Sequence, residues 1–176
     1  MARRPPPIWI LLLTVVLVYG AASVGIVRAL DLPESFAIPG WVRWGVGAIL
    51  IVGGMALLTA AIRHLSLRRA FGLEIFAPAV ESALVVSGPY AYVRNPLYLG
   101  AGIALIGWTL VLHSVILVVA TAFMFVHFFV VAKWEERELS IRLGKPYESY
   151  RESTPLFFPR LFGGTRRGTV RKGPGV

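Results

Sequence analysis

The sequence predicts an all-α integral membrane protein: a helical bundle with four transmembrane helices and both termini in the cytoplasm. Hydrophobic residues make up 56% of the 176 residues and are gathered into long apolar blocks, which is typical of membrane spans. Of the 18 Lys and Arg residues, only Arg28 and Arg43 flank the loop after the first block. Since an even number of spans returns the chain to its starting side, the positive-inside bias assigns the basic side to the cytoplasm.

Four apolar blocks mark the spans. The predicted spans cover about residues 8–30, 44–62, 97–112 and 115–132. A helix needs about 20 apolar residues to cross a bilayer, and the last two blocks are near the short end of that range. Because only His113 and Ser114 separate them, they are predicted to form a helical hairpin. Two alternatives stay open: the first block could be a cleaved signal peptide, and the hairpin could be re-entrant.

The segments outside the spans are of three kinds. Residues 63–95 are too apolar for a solvated loop, and we expect a membrane-surface segment packed on the bundle. From Lys133 onward the sequence predicts two short amphipathic helices separated at Gly144. Residues 163–176 are rich in Gly and Arg and are predicted to be a disordered basic tail attracted to acidic lipid. Residues 1–162 then form a single domain.

Composition narrows the function classes. The net charge of +9 could indicate nucleic acid, but the apolar blocks favour membrane lipids as the partner, and no nucleic-acid partner is expected. The chain has no cysteine, so a disulfide, a thiol nucleophile and a Cys-type zinc site are excluded. The three histidines lack metal-ligand spacing. His127 is predicted to be a hydrogen-bond partner between helices.

The first polar cluster is GPYAYVRNPLYLG, residues 88–100. Asn95 followed by Pro96 is typical of a helix start, because Asn can cap free amides and Pro suits the first turn. The free amides and the helix dipole would favour an anionic ligand group, and Arg94 adds a permanent charge. The alternative is that Arg and Tyr serve only as interfacial anchors beside an ordinary cap.

The second polar cluster, WEERE, directly follows the fourth span. The predicted hairpin returns Glu135 to the membrane face on which Asn95 lies, so the two clusters could form one cytoplasmic-face pocket. A carboxylate there could bind an ammonium group or ribose hydroxyls. The alternative is an ordinary helix end in which the acidic residues complement the dipole.

Together the two clusters resemble a family. GPYAYVRNPLYLG, followed after a hairpin by EERELSIRLGKPYESY, resembles the isoprenylcysteine carboxyl methyltransferase family, part of a wider group of membrane methyltransferases that includes phospholipid N-methyltransferases. The resemblance covers residues 82–159. It implies S-adenosylmethionine as the cofactor. It also implies a lipophilic acceptor, isoprenylcysteine carboxylate-like or another lipid-like molecule, that enters from the bilayer.

The resemblance also implies a set of site residues. The cofactor-binding residues carried over from the family are Ser82, Ala83, Leu84, Val85, Tyr90, Asn95, Pro96, Leu97, Tyr98, Glu135 and Glu136. Arg94 is the candidate catalytic residue, with the role of orienting an acceptor carboxylate. The sequence departs from the family in two places: Asn95 stands where many members have His, and Val131 stands where the eukaryotic prenylcysteine enzymes have a substrate-binding Arg. These departures leave the acceptor atom open between O, N and S.

Two other functions fit part of the sequence. Membrane reductases of the sterol-reductase type have a similar Arg-x-Pro-x-Tyr region and use a nicotinamide cofactor, but the acidic pair argues against them. A non-catalytic membrane subunit or small transporter would fit the spans alone. Against a transporter, no charged residue lies deep in a predicted span, whereas transport pathways often need one.

Overall fold

A computed structural model describes residues 8–65 and 84–158, with side chains from residue 14 onward. The helices are α1 (Ile8–Ala29), α2 (Gly47–His64), α3 (Pro96–Leu112), α4 (Val115–Leu143) and α5 (Lys145–Ser153). A π-helical turn, Val42–Val46, leads directly into α2, and a 3₁₀ turn, Gly88–Ala91, precedes α3. In these ranges the only extended pairing is a single bridge between Ser35 and Ser114, so the all-α prediction is confirmed there.

Some predictions fall on other parts of the chain. Most of the predicted membrane-surface segment lies outside the described residues, and so do Ser82, Ala83 and the predicted tail at 163–176. Residues 84–95, the end of that segment, are described and contribute to the site.

The apolar helices occur where the four spans are predicted. Val42–His64 and Val115–Leu143 are long and apolar enough to cross a membrane, and Thr14–Ala29 and Pro96–Leu112 are shorter apolar helices. Exposed tryptophans lie at both ends of these helices: Trp41 and Trp44 before α2, and Trp134 in α4. Together these features are those of a membrane protein; that all four helices cross the bilayer stays a prediction.

The four long helices alternate in direction. The backbone N–H of Val115 donates to the carbonyl of Glu34 (3.0 Å), and that of Phe36 donates to the carbonyl of His113 (3.2 Å). Arg43 Nε donates to the carbonyl of Val111 over 2.7 Å. The loop after α1 and the turn between α3 and α4 therefore lie at one end of the molecule. The start of α3 and the exit of α4 lie at the other end.

The amphipathic helix predicted from Lys133 onward is not a separate helix, because it is continuous with the helix of the fourth span. The helix α4 continues without a break through the polar sequence to Leu143. Glu, Arg, Lys and Leu are strong helix formers, so the change from apolar to polar residues does not interrupt the backbone hydrogen bonds. Gly144 ends the helix with φ 59°, a conformation that favours glycine, and α5 follows. The predicted stop at Gly144 is confirmed.

Glycines bring α2 and α3 into backbone contact. A Cβ atom added to Gly54 would lie 2.6 Å from the carbonyl oxygen of Gly100, and one added to Gly100 would lie 2.8 Å from the carbonyl oxygen of Gly54. About two turns further along α3, a Cβ on Gly107 would lie 2.7 Å from the carbonyl oxygen of Gly47. Small residues at matched positions are what allow helices in a membrane to pack this closely.

Polar and aromatic contacts connect the other helices. Thr109 of α3 and Thr121 of α4 are joined by a buried 2.9 Å hydrogen bond. Tyr19 of α1 is hydrogen-bonded to Nδ1 of His127 in α4 (3.1 Å) and stacks on Phe123, which confirms the predicted role of His127. The packing order is thus α2, α3, α4, α1, and within the described residues α1 makes no comparable contact with α2.

We predict that Gly54→Ala destabilises the protein, whereas Gly53→Ala does not. The added methyl group at Gly54 meets the α3 backbone, which cannot move aside, and overpacking of this kind costs about 1–3 kcal/mol. A Cβ at Gly53 would have nothing within 4 Å, so that variant is the matched control on the same helix. Thermal unfolding in detergent measures both, and equal midpoints for the two variants would contradict the close packing of α2 on α3.

Candidate functional site

The start of α3 and the polar part of α4 meet through Tyr98 and Glu135. The hydroxyl of Tyr98 donates to Glu135 Oε1 over 2.6 Å, and its ring stacks on Phe128 of α4 with centroids 5.2 Å apart. The prediction that the two sequence clusters share one end of the molecule is confirmed by this contact. The roles predicted for these residues in cofactor binding stay predictions.

The direction of helical side chains explains how the two residues reach each other. At about 1.5 Å per residue, Glu135 lies about 9 Å further from the α3–α4 turn than Tyr98 does. Side chains in a helix lean towards its N terminus. Because the two helices are antiparallel, Tyr98 leans towards the site and Glu135 leans back towards it.

A second contact lies beside the first. Arg94 Nη1 forms an ion pair with Glu136 Oε1, and the two side chains are only 10% and 6% exposed. Lys133 Nζ binds the other oxygen, Oε2, over 3.0 Å. Glu136, predicted to bind the cofactor, thus has a protein cation on each oxygen, and Arg94, predicted to orient the acceptor, already faces a carboxylate. Arg94 Nε is buried and has no hydrogen-bond partner among the described residues.

The 3₁₀ turn places Tyr90 at this site. Gly88 has φ 59° and packs against the ring of His64 at the end of α2, so a side chain at position 88 would be both strained and blocked. Tyr90 is 7% exposed, and its hydroxyl has no hydrogen-bond partner in the described part of the chain. Burial, with the nearby Glu135 carboxylate, raises the pKa of Tyr90 to about 12. At neutral pH this hydroxyl is therefore a protonated donor that has no acceptor among the residues that the structure describes.

The helix α5 and the segment after it hold the 3₁₀ turn and the start of α3 in place through hydrogen bonds. The hydroxyl of Tyr150 donates to the carbonyl of Tyr90 over 2.7 Å. The backbone N–H of Arg94 donates to the carbonyl of Pro155 (2.9 Å), and that of Asn95 donates to Leu156 (3.2 Å). Burial raises the pKa of Tyr150, so the hydroxyl stays protonated and keeps donating.

Sequence reasoning did not find the role of α5. The signal was present, since Tyr147 and Tyr150 are three residues apart and so share one face of a helix. Tyr147 is buried, and burial raises its pKa, with a further contribution from the Glu136 carboxylate. What the spacing could not reveal is which partner that aromatic face packs against.

Asn95 does not cap α3 in the way predicted. The helix begins at Pro96 as expected, but the side chain of Asn95 makes no capping hydrogen bond. A capping residue is typically in the β region, whereas Asn95 has φ −124° and ψ 63°. Leu99 N–H bonds to the carbonyl of Asn95, and Pro96 has no N–H. The amides of Leu97 and Tyr98 are the remaining donors of the first turn, which has no intrahelical acceptors.

The other predicted residues lie around this centre. Pro96 is fully buried, while Leu97, Leu84 and Val85 are half-buried, the last two in the extended segment before Gly88. The structure therefore brings together the predicted residues from 90 to 98 with the acidic pair. Within one small region it contains the exposed carboxylate of Glu135, the start of α3, and the buried phenol of Tyr90, which has no partner in the described part of the chain.

These features define the class: a helical membrane protein with a polar site where two antiparallel helices meet. The family model described as phospholipid methyltransferase matches residues 42–145, more than half of the chain and including every helix that builds the site except α5. The chain belongs to the phospholipid methyltransferase family, and the resemblance seen in the sequence is confirmed at that level.

Two curated relatives are similar to the chain. Methanethiol S-methyltransferase 2 of Bradyrhizobium diazoefficiens is 32% identical over 152 residues, which cover 77% of this chain and 55% of that protein. The nickel-cobalt-cadmium resistance protein NccN of Alcaligenes xylosoxydans xylosoxydans is 27% identical over 118 residues, which cover 67% of this chain and 53% of that protein. The chain thus spans about half the length of these relatives. No solved structure matches it.

We predict that Tyr150→Phe loosens the turn that carries Tyr90. The variant removes the 2.7 Å hydrogen bond to the Tyr90 carbonyl, and a bond of this kind contributes about 0.5–1.5 kcal/mol. Tyr92→Phe is the control, because Tyr92 lies in the same region with an exposed side chain. Amide hydrogen exchange at residues 88–95 should quicken in the first variant only. Equal exchange in both variants would mean that α5 does not support the turn.

Proposed function

We propose that the protein is a membrane-embedded S-adenosylmethionine-dependent methyltransferase that acts on a lipophilic acceptor. The observation that carries the proposal is the 2.6 Å contact between Tyr98 and Glu135, which brings together polar groups of α3 and α4 that would line one pocket. Membership of the phospholipid methyltransferase family supports the reaction class.

The residues present fit the cofactor. S-adenosylmethionine has a carboxylate, an ammonium group, ribose hydroxyls and an adenine. The amides of Leu97 and Tyr98, at the positive end of the α3 dipole, suit the carboxylate. The exposed Glu135 carboxylate, of which Tyr98 uses one oxygen, suits the ammonium group or ribose hydroxyls. The buried hydroxyl of Tyr90 has no partner among the described residues, so it could donate to the same ligand.

When bound, the cofactor would supply an electrophilic methyl group on a sulfonium. The protein's own work is then to hold the two reactants in line and to keep water away. Tyr98 fixes the orientation of Glu135, and its stacking on Phe128 gives the pocket an apolar wall on the membrane side. An acceptor arriving from the bilayer would meet this wall first.

Each possible class of methyl acceptor makes a different chemical demand on the site. A carboxylate acceptor needs a cation to orient it and no base, and Arg94 is the residue predicted for that role. A thiol or amine acceptor must lose a proton before or during the transfer. Methanethiol S-methyltransferase 2 is named for a thiol acceptor, so we propose that thiols carrying an apolar group are tested alongside lipid carboxylates and amines.

The proposed membrane arrangement has four crossings with both termini in the cytoplasm. Exposed Trp41 and Trp44 at one end and Trp134 at the other suit the two interfaces of a bilayer. Glu135 and Tyr90 then lie at the cytoplasmic interface, where a soluble cofactor and a lipophilic acceptor can both reach them. Described basic residues at this end, among them Arg63, Arg142 and Arg151, would meet anionic lipid headgroups.

We predict that the purified full chain binds S-adenosylhomocysteine and that Glu135→Gln weakens binding at least about tenfold. Hydrogen bonds to a charged group contribute about 1.5–3 kcal/mol, and ~1.4 kcal/mol is tenfold in affinity. Tyr98→Phe should weaken binding less, because it removes only the group that orients Glu135. Calorimetry in detergent measures the dissociation constants.

Glu138→Gln is the matched control for Glu135→Gln. Glu138 lies on the same helix, is exposed, and contacts only Arg142 in the described residues, over 3.5 Å. Its replacement should leave binding unchanged. Wild-type protein that binds a nicotinamide dinucleotide instead would favour a reductase, and protein that binds neither compound would favour a non-catalytic subunit.

A further inference from the structure

We propose that Arg94 and Glu136 are positioning residues, whose ion pair holds the start of α3 against the exit of α4 and thereby sets the Tyr98–Glu135 contact. The inference rests on the proposed function, because it assigns these residues to the same cofactor site. It differs from the roles suggested by sequence, in which Arg94 orients the acceptor and Glu136 binds the cofactor.

Helix geometry gives the two residues of the acidic pair, Glu135 and Glu136, different partners. Consecutive residues of an α-helix point about 100° apart, so Glu135 and Glu136 cannot face the same partner. Glu135 faces Tyr98 and stays exposed, while Glu136 faces Arg94 and is 6% exposed. One carboxylate is thus open to a ligand, and its neighbour is enclosed by the protein.

Both oxygens of Glu136 already face protein cations. Arg94 occupies Oε1 and Lys133 occupies Oε2. A carboxylate enclosed in this way joins parts of the protein and does not reach a bound nucleoside.

Arg94 connects three parts of the chain. Its guanidinium pairs with α4, its backbone N–H bonds to Pro155 in the segment after α5, and it lies two residues before Pro96, where α3 begins. A shift of Arg94 would therefore move the first turn of α3, which carries Tyr98. The ion pair is thus linked to Tyr98 through the backbone from Arg94 into α3, and to Glu135 through the backbone of α4.

Because the Arg94–Glu136 pair is buried, the loss of either residue should have a large effect. Without Arg94, the buried Glu136 would keep only the half-exposed Lys133 as a partner, and without Glu136 the buried Arg94 would lose its carboxylate. Replacing both members of a buried pair by apolar residues of similar size, in contrast, is often neutral. A positioning pair should thus show strong non-additivity in a double-mutant cycle. Two ligand-binding residues should not, since losing both contacts is at least as harmful as losing one.

The first experiment is that cycle, with S-adenosylhomocysteine as the probe and calorimetry on the full chain. Arg94→Met and Glu136→Leu should each weaken binding at least about tenfold, equivalent to ~1.4 kcal/mol, and the double variant should bind more tightly than either single variant. Losses that add in the double variant would overturn the proposal. They would instead assign Arg94, through its unpartnered Nε, to direct contact with a ligand.

An exposed pair on the same helix provides the matched control. Glu138 and Arg142 form a 3.5 Å ion pair with side chains that are largely open to solvent. The corresponding variants Glu138→Leu and Arg142→Met, alone and together, should leave binding unchanged. A loss in this control equal to that at the buried pair would show that any charge removed from α4 has the same effect, which also contradicts a specific positioning role.

A second experiment measures position without any ligand. The chain has no cysteine, so spin labels can be attached at Tyr92→Cys and Trp134→Cys, two exposed positions on either side of the contact (68% and 73%). Pulsed electron resonance should give a narrow distance distribution in the labelled parent and the apolar double variant. The distribution should broaden in Arg94→Met and Glu136→Leu, and an unchanged distribution in these variants would overturn the proposal.

The two experiments separate this inference from the proposed function. Wild-type protein that binds no S-adenosylhomocysteine would contradict the proposed function, while the spin-label distances would still test the ion pair. Wild-type protein that binds the probe, with single variants that bind equally well, would contradict only the positioning role.

Discussion

The short turn at His113 and Ser114 is the constraint on which the site depends. With two residues between them, α3 and α4 must run antiparallel side by side, so the start of one and the exit of the other return to the same end. Side chains that lean towards helix N termini then bring Tyr98 and Glu135 together. Tyr98 and Glu135 are 37 residues apart in the sequence, yet they meet because only two helices and a two-residue turn lie between them.

The glycine contacts determine where that hairpin sits. Because α2 and α3 touch through their backbones at Gly54 and Gly100, the position of α3 along α2 is fixed more tightly than larger side chains would allow. The end of α2 then lies against Gly88, through His64. Close packing of α2 on α3 thereby also positions the turn that carries Tyr90, and α5 holds the same turn through the hydrogen bond of Tyr150.

The sequence allowed much of this to be predicted, for physical reasons that differ by element. Apolar blocks, the two-residue turn and Gly144 are local signals, so the helices and the hairpin followed from them. Two features depend on tertiary contacts: the backbone N–H of Asn95 bonding to Leu156, and Glu136 turning towards Arg94. No local pattern encodes those partners. The family resemblance pointed to residues 90–98 and the acidic pair, which the structure brings together, and their roles in binding stay predictions.

The central claim is that one nucleoside-sized molecule binds between the start of α3 and the polar part of α4. Ultraviolet crosslinking of S-adenosylmethionine labelled in its methyl group, followed by mass spectrometry of the peptides, tests it most directly. The account predicts labelled peptides that contain residues 84–98 or Glu135, and competition by unlabelled S-adenosylhomocysteine. Label confined to the opposite end, near Arg43 and His113, would contradict it, as would label that the competitor fails to displace.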